Sequence, residues 1–144
     1  MISVQEHDFI VQKAYEELTD QRGEAGAIVS FIGKVRDFQT DDNNREFYLE
    51  HYPGMTEKVL RDIEQEAHKR WNLTHSLIIH RVGKLMINDQ IVFVGVASKH
   101  RKNAFLACEF IIDLLKTQAP FWKKEGGNWV VADEKDQQRY QRWQ

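Results

Sequence analysis

The sequence predicts an α+β fold, a mostly antiparallel sheet with covering helices and a C-terminal hairpin. Three observations carry this. Residues 27–35 and 89–98 are rich in β-branched and aromatic residues, as strands are. Residues 56–71 and 98–118 repeat apolar side chains at helical spacing. Gly126-Gly127 separates two short runs, residues 121–125 and 128–131, and so reads as a hairpin. The pattern fits one layered domain over residues 1–144.

Taken in order, residues 2–4 form a short strand, and Asp8 is the expected N-cap of a helix running to about Leu18, with Phe9, Ala14 and Leu18 facing inward. Residues 19–26 are a polar loop. In the strand at 27–35, Gly33 marks a bulge or a close backbone approach. Lys34 and Arg36 follow on one face of the extended chain. Residues 37–44 are acidic and polar and read as a mobile loop. A strand at 46–52 leads to the Pro53-Gly54 turn, then to a helix with Val59, Leu60, Ile63, Ala67 and Trp71 on one stripe. Strands follow at 76–82 and 89–98, joined at the Asn88-Asp89 turn. The second holds the near-continuous apolar run IVFVGVA and should lie centrally.

The helix after residue 98 organises the rest. Ala104, Cys108, Ile111, Ile112 and Leu115 share a face, widened by Phe105, Phe110 and Leu114. Ala119-Pro120 stops it, since the residue before proline is pushed out of the α region. Lys116 suits the negative end of the helix dipole, whereas His100, Arg101 and Lys102 crowd the positive end. Cations beside the free N–H groups of a helix N-terminus make an anion site. Arg101 and Lys116 are fifteen residues apart, about 22 Å at roughly 1.5 Å per residue. They therefore serve two sites, or a two-fold partner brings one end to the other. The tail from Asp133 is polar, with Tyr140 and Trp143 as docking points.

Net charge is −2, yet residues 99–124 carry +4, leaving −6 on the remainder. That distribution suits a small anionic ligand better than nucleic acid, which needs a broader positive footprint. No long apolar run and no basic-then-apolar leader pattern is present, so a cytoplasmic protein is expected. The single cysteine, Cys108, reads as a small buried hydrophobe. There is no glycine-rich phosphate loop and no metal-ligand spacing among the six histidines; His51 and His80 read as hydrogen-bonded structural residues on strands. What remains is cationic: Arg36, His100, Arg101, Lys116, Lys123 and Lys34. Arginine suits fork-like phosphate recognition. A crowded, partly buried lysine can serve as acid, base or nucleophile, and Lys116 and Lys123, joined by the Pro120 turn, are the candidates.

The segments FIGKVR (31–36), LEHYPGM (49–55), HRVG (80–83), DQIVFVGVASKHR (89–101) and LKTQAPFWKKE (115–125) resemble the large, catalytic subunit of molybdopterin synthase. The resemblance is ordered and spans nearly the whole chain. It implies an α/β-hammerhead-like fold and a sulfurtransferase of molybdenum cofactor biosynthesis without a bound cofactor or metal. The implied substrate is cyclic pyranopterin monophosphate. The implied partners are a small ubiquitin-like sulfur-carrier subunit ending in a Gly-Gly thiocarboxylate and a second copy of the chain, within a heterotetramer. Carried over by position, Lys116 and Lys123 are the catalytic pair, Arg36, His100 and Arg101 bind substrate, and Phe31 is an aromatic near the pocket. One departure lies at Val131-Ala132-Asp133-Glu134, where some relatives have a basic residue. The competing reading is a non-enzymatic dimeric module that binds a carrier protein or phosphorylated ligand.

Overall fold

The computed structural model describes residues 1–20, 22–38 and 44–144. Its elements in chain order are β1 (Ile2–Gln5), α1 (Val11–Leu18), β2 (Ala27–Lys34), β3 (Phe47–His51), α2 (Met55–Arg70) and β4 (Leu73–Arg81). They continue with β5 (Gly83–Leu85), β6 (Gln90–Ser98), α3 (Arg101–Gln118), β7 (Phe121–Glu125), β8 (Asn128–Trp129) and α4 (Glu134–Gln141). The expected single sheet is two four-stranded sheets, ordered β1-β4-β6-β2 and β5-β3-β7-β8. All pairings are antiparallel except β1 with β4.

The apolar run of β6 lies centrally, as its composition demands, and is buried on both faces. Period-two alternation divides its side chains. Val92, Val94 and Val96 join Ile78, Leu60, Ile63, Phe110 and Ile111 in the main core under α2 and α3. Phe93 turns the other way, to Leu77, Ile79 and α1 residues Ala14 and Leu18. Each large apolar side chain so enclosed contributes roughly 1.5–3 kcal/mol. Gly95 lies where a Cβ would overlap Leu18 and come within 2.7 Å of the Phe93 ring, so α1 sits closely on the sheet because that position is bare. Gly33 combines both roles expected of it: the β2–β6 register shifts between Gly33 and Lys34, and a Cβ there would meet Val92 at 2.6 Å.

The second sheet closes a smaller core of Val35, Phe47, Leu49, Val82 and Leu85. Its outer face leaves Tyr48, Trp122 and Trp129 exposed. The Gly126-Gly127 turn has both φ angles positive, which glycine adopts without strain.

Two expectations are corrected, and two elements were not anticipated. Asp8 does not cap α1: the helix begins at Val11, and the Asp8 carboxylate accepts instead from the Phe9 N–H at 2.8 Å and from Gln90 Nε2 at 3.0 Å. Phe105 is not on the buried face of α3 but 60% exposed. The polar tail is a helix, α4, whose first turn is capped by Asp133 accepting from the Lys135 N–H at 2.9 Å. The three-residue β5 was not anticipated at all. The loop expected at 37–44 lies for the most part outside the described residues.

The tail docks through the two aromatics that the sequence singles out. Tyr140 accepts from Gln118 Nε2 at 2.6 Å. The Trp143 ring meets Trp71 and Phe110 edge-on, at centroid distances of 5.7 and 5.4 Å, and its Nε1–H donates to Asp113 Oδ2 at 2.7 Å.

Candidate active site

The helix α3 is unbroken over eighteen residues, so the two cationic clusters sit at its opposite ends. Ala119 has φ −72° and ψ 132°, extended as the following proline requires. The chain then turns at Pro120 directly into β7. Seven residues after Lys116, Lys123 emerges on β7 opposite Leu49 of β3. The elbow at 119–121 thus brings the two lysines to the same end of the molecule.

Arg36 belongs to that end too. Antiparallel pairing sets the start of β2 against the end of β6, at Ala27 opposite Ser98, and the end of β2 against the start of β6, at Lys34 opposite Gln90. Val35 is buried in the small core that also holds Leu49, so the neighbouring Arg36 is presented, exposed, beside the second sheet. Phe31 lies midway along β2, half-buried against the main core. His100 and Arg101 stand at the far end of α3, with His100 at the N-cap position and making no side-chain cap bond. One chain therefore carries Arg36, Lys116 and Lys123 towards one end and His100 and Arg101 at the opposite end of α3.

At roughly 100° per residue, Arg101, Phe105, Ile112 and Lys116 fall within a 60° arc of α3. The exposed Phe105 ring and half-buried Ile112 thus form an apolar stripe between the two cationic ends.

Lys123 is 48% exposed and pairs with Glu125, Nζ to Oε1 at 3.6 Å. Alternation puts Phe121, Lys123 and Glu125 on one face of β7. Lys116 is exposed as well, so the burial that the sequence argument assumed for the lysines is absent in the single chain. What is buried beside them is His80. Its ring stacks on Phe121 at 4.0 Å and 21°, and its Nδ1 lies 2.9 Å from the Arg81 carbonyl. Burial pushes its pKa down to about 4; the Arg81 bond opposes this, while the charges of Lys116 and His51 add to it. The hydrogen-bonded structural role read for His80 holds. His51 makes no side-chain hydrogen bond among the described residues.

Cys108 is buried with Sγ 3.7 Å from the Val94 carbonyl, and burial, helped by Glu109, pushes its thiol up to about 12. Such a thiol is no nucleophile at neutral pH. Among the described residues no cluster of three or more histidine, cysteine or acidic side chains could hold a metal. Nor is any helix there long and apolar enough to cross a membrane.

Sequence reasoning singled out His100 and Arg101 because they crowd the positive end of the helix dipole, and Lys116 and Lys123 because the Pro120 turn joins them. It did not find the Lys123–Glu125 pair within β7, nor the packing of His80 beneath the elbow, which depends on contact between strands distant in sequence. The HRVG segment was the available signal for His80.

Fold and side chains together define an α+β protein with cations at both ends of one long helix and exposed amines on the strand that follows it. The sequence model of the MoaE protein family matches residues 4–118, and the chain belongs to that family. It is 52% identical over 147 residues to the molybdopterin synthase catalytic subunit of Vibrio cholerae serotype O1, covering 99% of this chain and 97% of that one. It superimposes on the molybdopterin cofactor biosynthesis protein E of Burkholderia multivorans with a TM-score of 0.85, at 44% identity, covering 99% and 94% of the two chains. It is similar also to molybdopterin synthase from Staphylococcus aureus, with a TM-score of 0.78, 33% identity, and 89% and 90% coverage.

Proposed function

We propose that this chain is the catalytic subunit of a molybdopterin synthase. It transfers sulfur from the thiocarboxylated C-terminus of a small ubiquitin-like carrier subunit to cyclic pyranopterin monophosphate, building the dithiolene of molybdopterin in two deliveries. The observation that carries this is the placing of Lys116 and Lys123 at one end of the molecule by the 119–121 elbow, with Arg36 beside the same small core.

In this reading Arg36, His100 and Arg101 hold the phosphate, guanidinium forks matching its oxygens, and stabilise charge as the cyclic ester opens. Lys123, steadied by Glu125, orients the pterin. Lys116 acts at the thiocarboxylate and the attacked carbon, as acid–base or transient nucleophile. Phe31 lines the approach. Because α3 keeps Arg101 about 22 Å from Lys116, the complete site is shared between two copies of the chain. The Phe105–Ile112 stripe is suited to face a second copy, and the assembly is a heterotetramer around that dimer. The departure over residues 131–134 leaves no cation where some relatives carry one; here Asp133 of that segment caps α4. The cytoplasm is the proposed location, consistent with a single unpaired thiol.

The test mixes this protein with thiocarboxylated carrier and cyclic pyranopterin monophosphate and follows the pterin by mass spectrometry. Gain of two sulfurs, lost in Lys116→Ala, is the expected result. A stable complex without product overturns the enzymatic reading in favour of a binding module.

A further inference from the structure

Lys116 and Lys123 belong to different elements, and their separation depends on how β7 leaves the end of α3. The elbow between them is held from several directions. The Phe121 N–H donates to the Ala119 carbonyl at 2.9 Å. Thr56 Oγ1 donates to the Pro120 carbonyl at 3.1 Å and itself accepts from the Tyr52 N–H at 2.9 Å. Phe121 pairs in register with His51. These contacts, with the pairing of all five β7 residues to β3, fix the strand within its own sheet, so where Lys123 stands relative to Lys116 depends on how that sheet meets the other one at Phe121.

That side chain rests on His80. The imidazole comes from β4, in the other sheet, so the stack of His80 on Phe121 is a joint between the two sheets. At 4.0 Å and 21° the rings lie nearly flat on one another. Donation from Nδ1–H to the Arg81 carbonyl sets the tilt of the imidazole, and His80 is only 6% exposed. A residue that merely filled this space would be cheaper as an aliphatic, because burying a polar ring costs free energy unless its groups are bonded. We propose that His80 is a positioning residue for the amine pair: its flat, uncharged ring sets the pitch of Phe121 and thereby where Lys123 stands relative to Lys116. Burial, which keeps the ring neutral, spares Lys116 a second positive charge beside it. The inference rests on the function proposed above for the two lysines.

The test compares His80→Leu, which removes the flat surface, with His80→Phe, which restores it without the imidazole. Each full-length variant is assayed for sulfur transfer with the thiocarboxylated carrier. In parallel, ¹³C-dimethylated lysines are followed by NMR in the protein alone. Displacing a reacting group by about 1 Å costs on the order of 100-fold. In His80→Leu the expected result is a 10- to 100-fold fall in kcat with KM for the pterin within about twofold. The Lys116 and Lys123 signals shift while those of Lys13 and Lys58 stay in place. His80→Phe recovers kcat to within about threefold of wild type. Unmoved Lys116 and Lys123 signals in His80→Leu overturn the proposal, as does an equal loss in both variants that tracks their melting temperatures. Absence of turnover in the wild type defeats the functional reading instead, and the lysine signals then decide the positioning claim alone.

Discussion

Replacing Trp143 with phenylalanine isolates one hydrogen bond at the seam between α4 and α3. Asp113 is 6% exposed, and its carboxylate accepts from Trp143 Nε1 at 2.7 Å; the neighbouring Thr117 hydroxyl bonds to the Asp113 backbone instead. A hydrogen bond to a charged group is worth about 1.5–3 kcal/mol. Trp143 is half-buried, so water replaces part of the lost donor, and a cost near the lower limit, ~1.5–2 kcal/mol, is expected for Trp143→Phe. For a chain of this size that lowers the melting temperature by roughly 4–8 °C. Trp143→Ala also loses the edge-on contacts with Trp71 and Phe110 and should cost about 3–5 kcal/mol. Urea unfolding monitored by circular dichroism measures both. The decisive variant is Trp143→Phe/Asp113→Leu: with both partners apolar, the unsatisfied carboxylate is gone and stability should recover towards wild type. A double variant no more stable than Trp143→Phe refutes the reasoning, as does a Trp143→Phe cost below about 0.5 kcal/mol, the level of an ordinary surface change.

Other consequences are open to direct measurement. Lys123→Ala should lower sulfur-transfer turnover by at least about 100-fold with carrier binding kept, as read by mass spectrometry and titration calorimetry. Gly95→Ala places a methyl against Leu18 and Phe93 and should cost about 1–3 kcal/mol in chemical denaturation. Cys108 should resist an aromatic disulfide reagent at pH 8 in the native protein and react promptly in denaturant; fast native labelling would contradict its burial. His80 has a folded pKa of about 4 against 6.5 unfolded, so the unfolded state binds more protons between those values. Its contribution to stability is therefore present above pH 6.5 and lost as pH falls towards 4, by ~3 kcal/mol at full protonation. His68, also depressed by burial, acts in the same direction. Stability curves for wild type and His80→Phe should converge at low pH, and parallel curves would argue against the assignment.

The elements that the sequence made legible are those whose signals are local. The IVFVGVA run, the stripe of α2, the stop at Pro120 and the Gly126-Gly127 turn each state their structure within a few residues. Elements held by distant partners were not legible. The helix α4 has no apolar face of its own, and it is anchored by Tyr140 and Trp143 on α2 and α3, so its side chains announced docking but not helicity. Three-residue β5 exists because β3 offers it a pairing edge. Asp8 looked like a cap until Gln90, eighty-two residues away, claimed its carboxylate. For the candidate site the same division holds. The cations and their separation could be read from helix length, whereas the neutral ring beneath them required the two sheets to meet.

The length of α3 has a meaning for how such a chain can vary. A single-residue deletion between Arg101 and Lys116 would shorten their separation by about 1.5 Å but rotate one about 100° away from the other's face. Removing seven residues would keep the face and draw the ends together by roughly 10 Å. Packing against the sheet would tolerate the second change more readily than the first, yet either would misplace one set of cations. Under the function proposed above, the helix works as a measuring rod between two chemical tasks, and insertions are expected to be tolerated in the loops around it rather than within it.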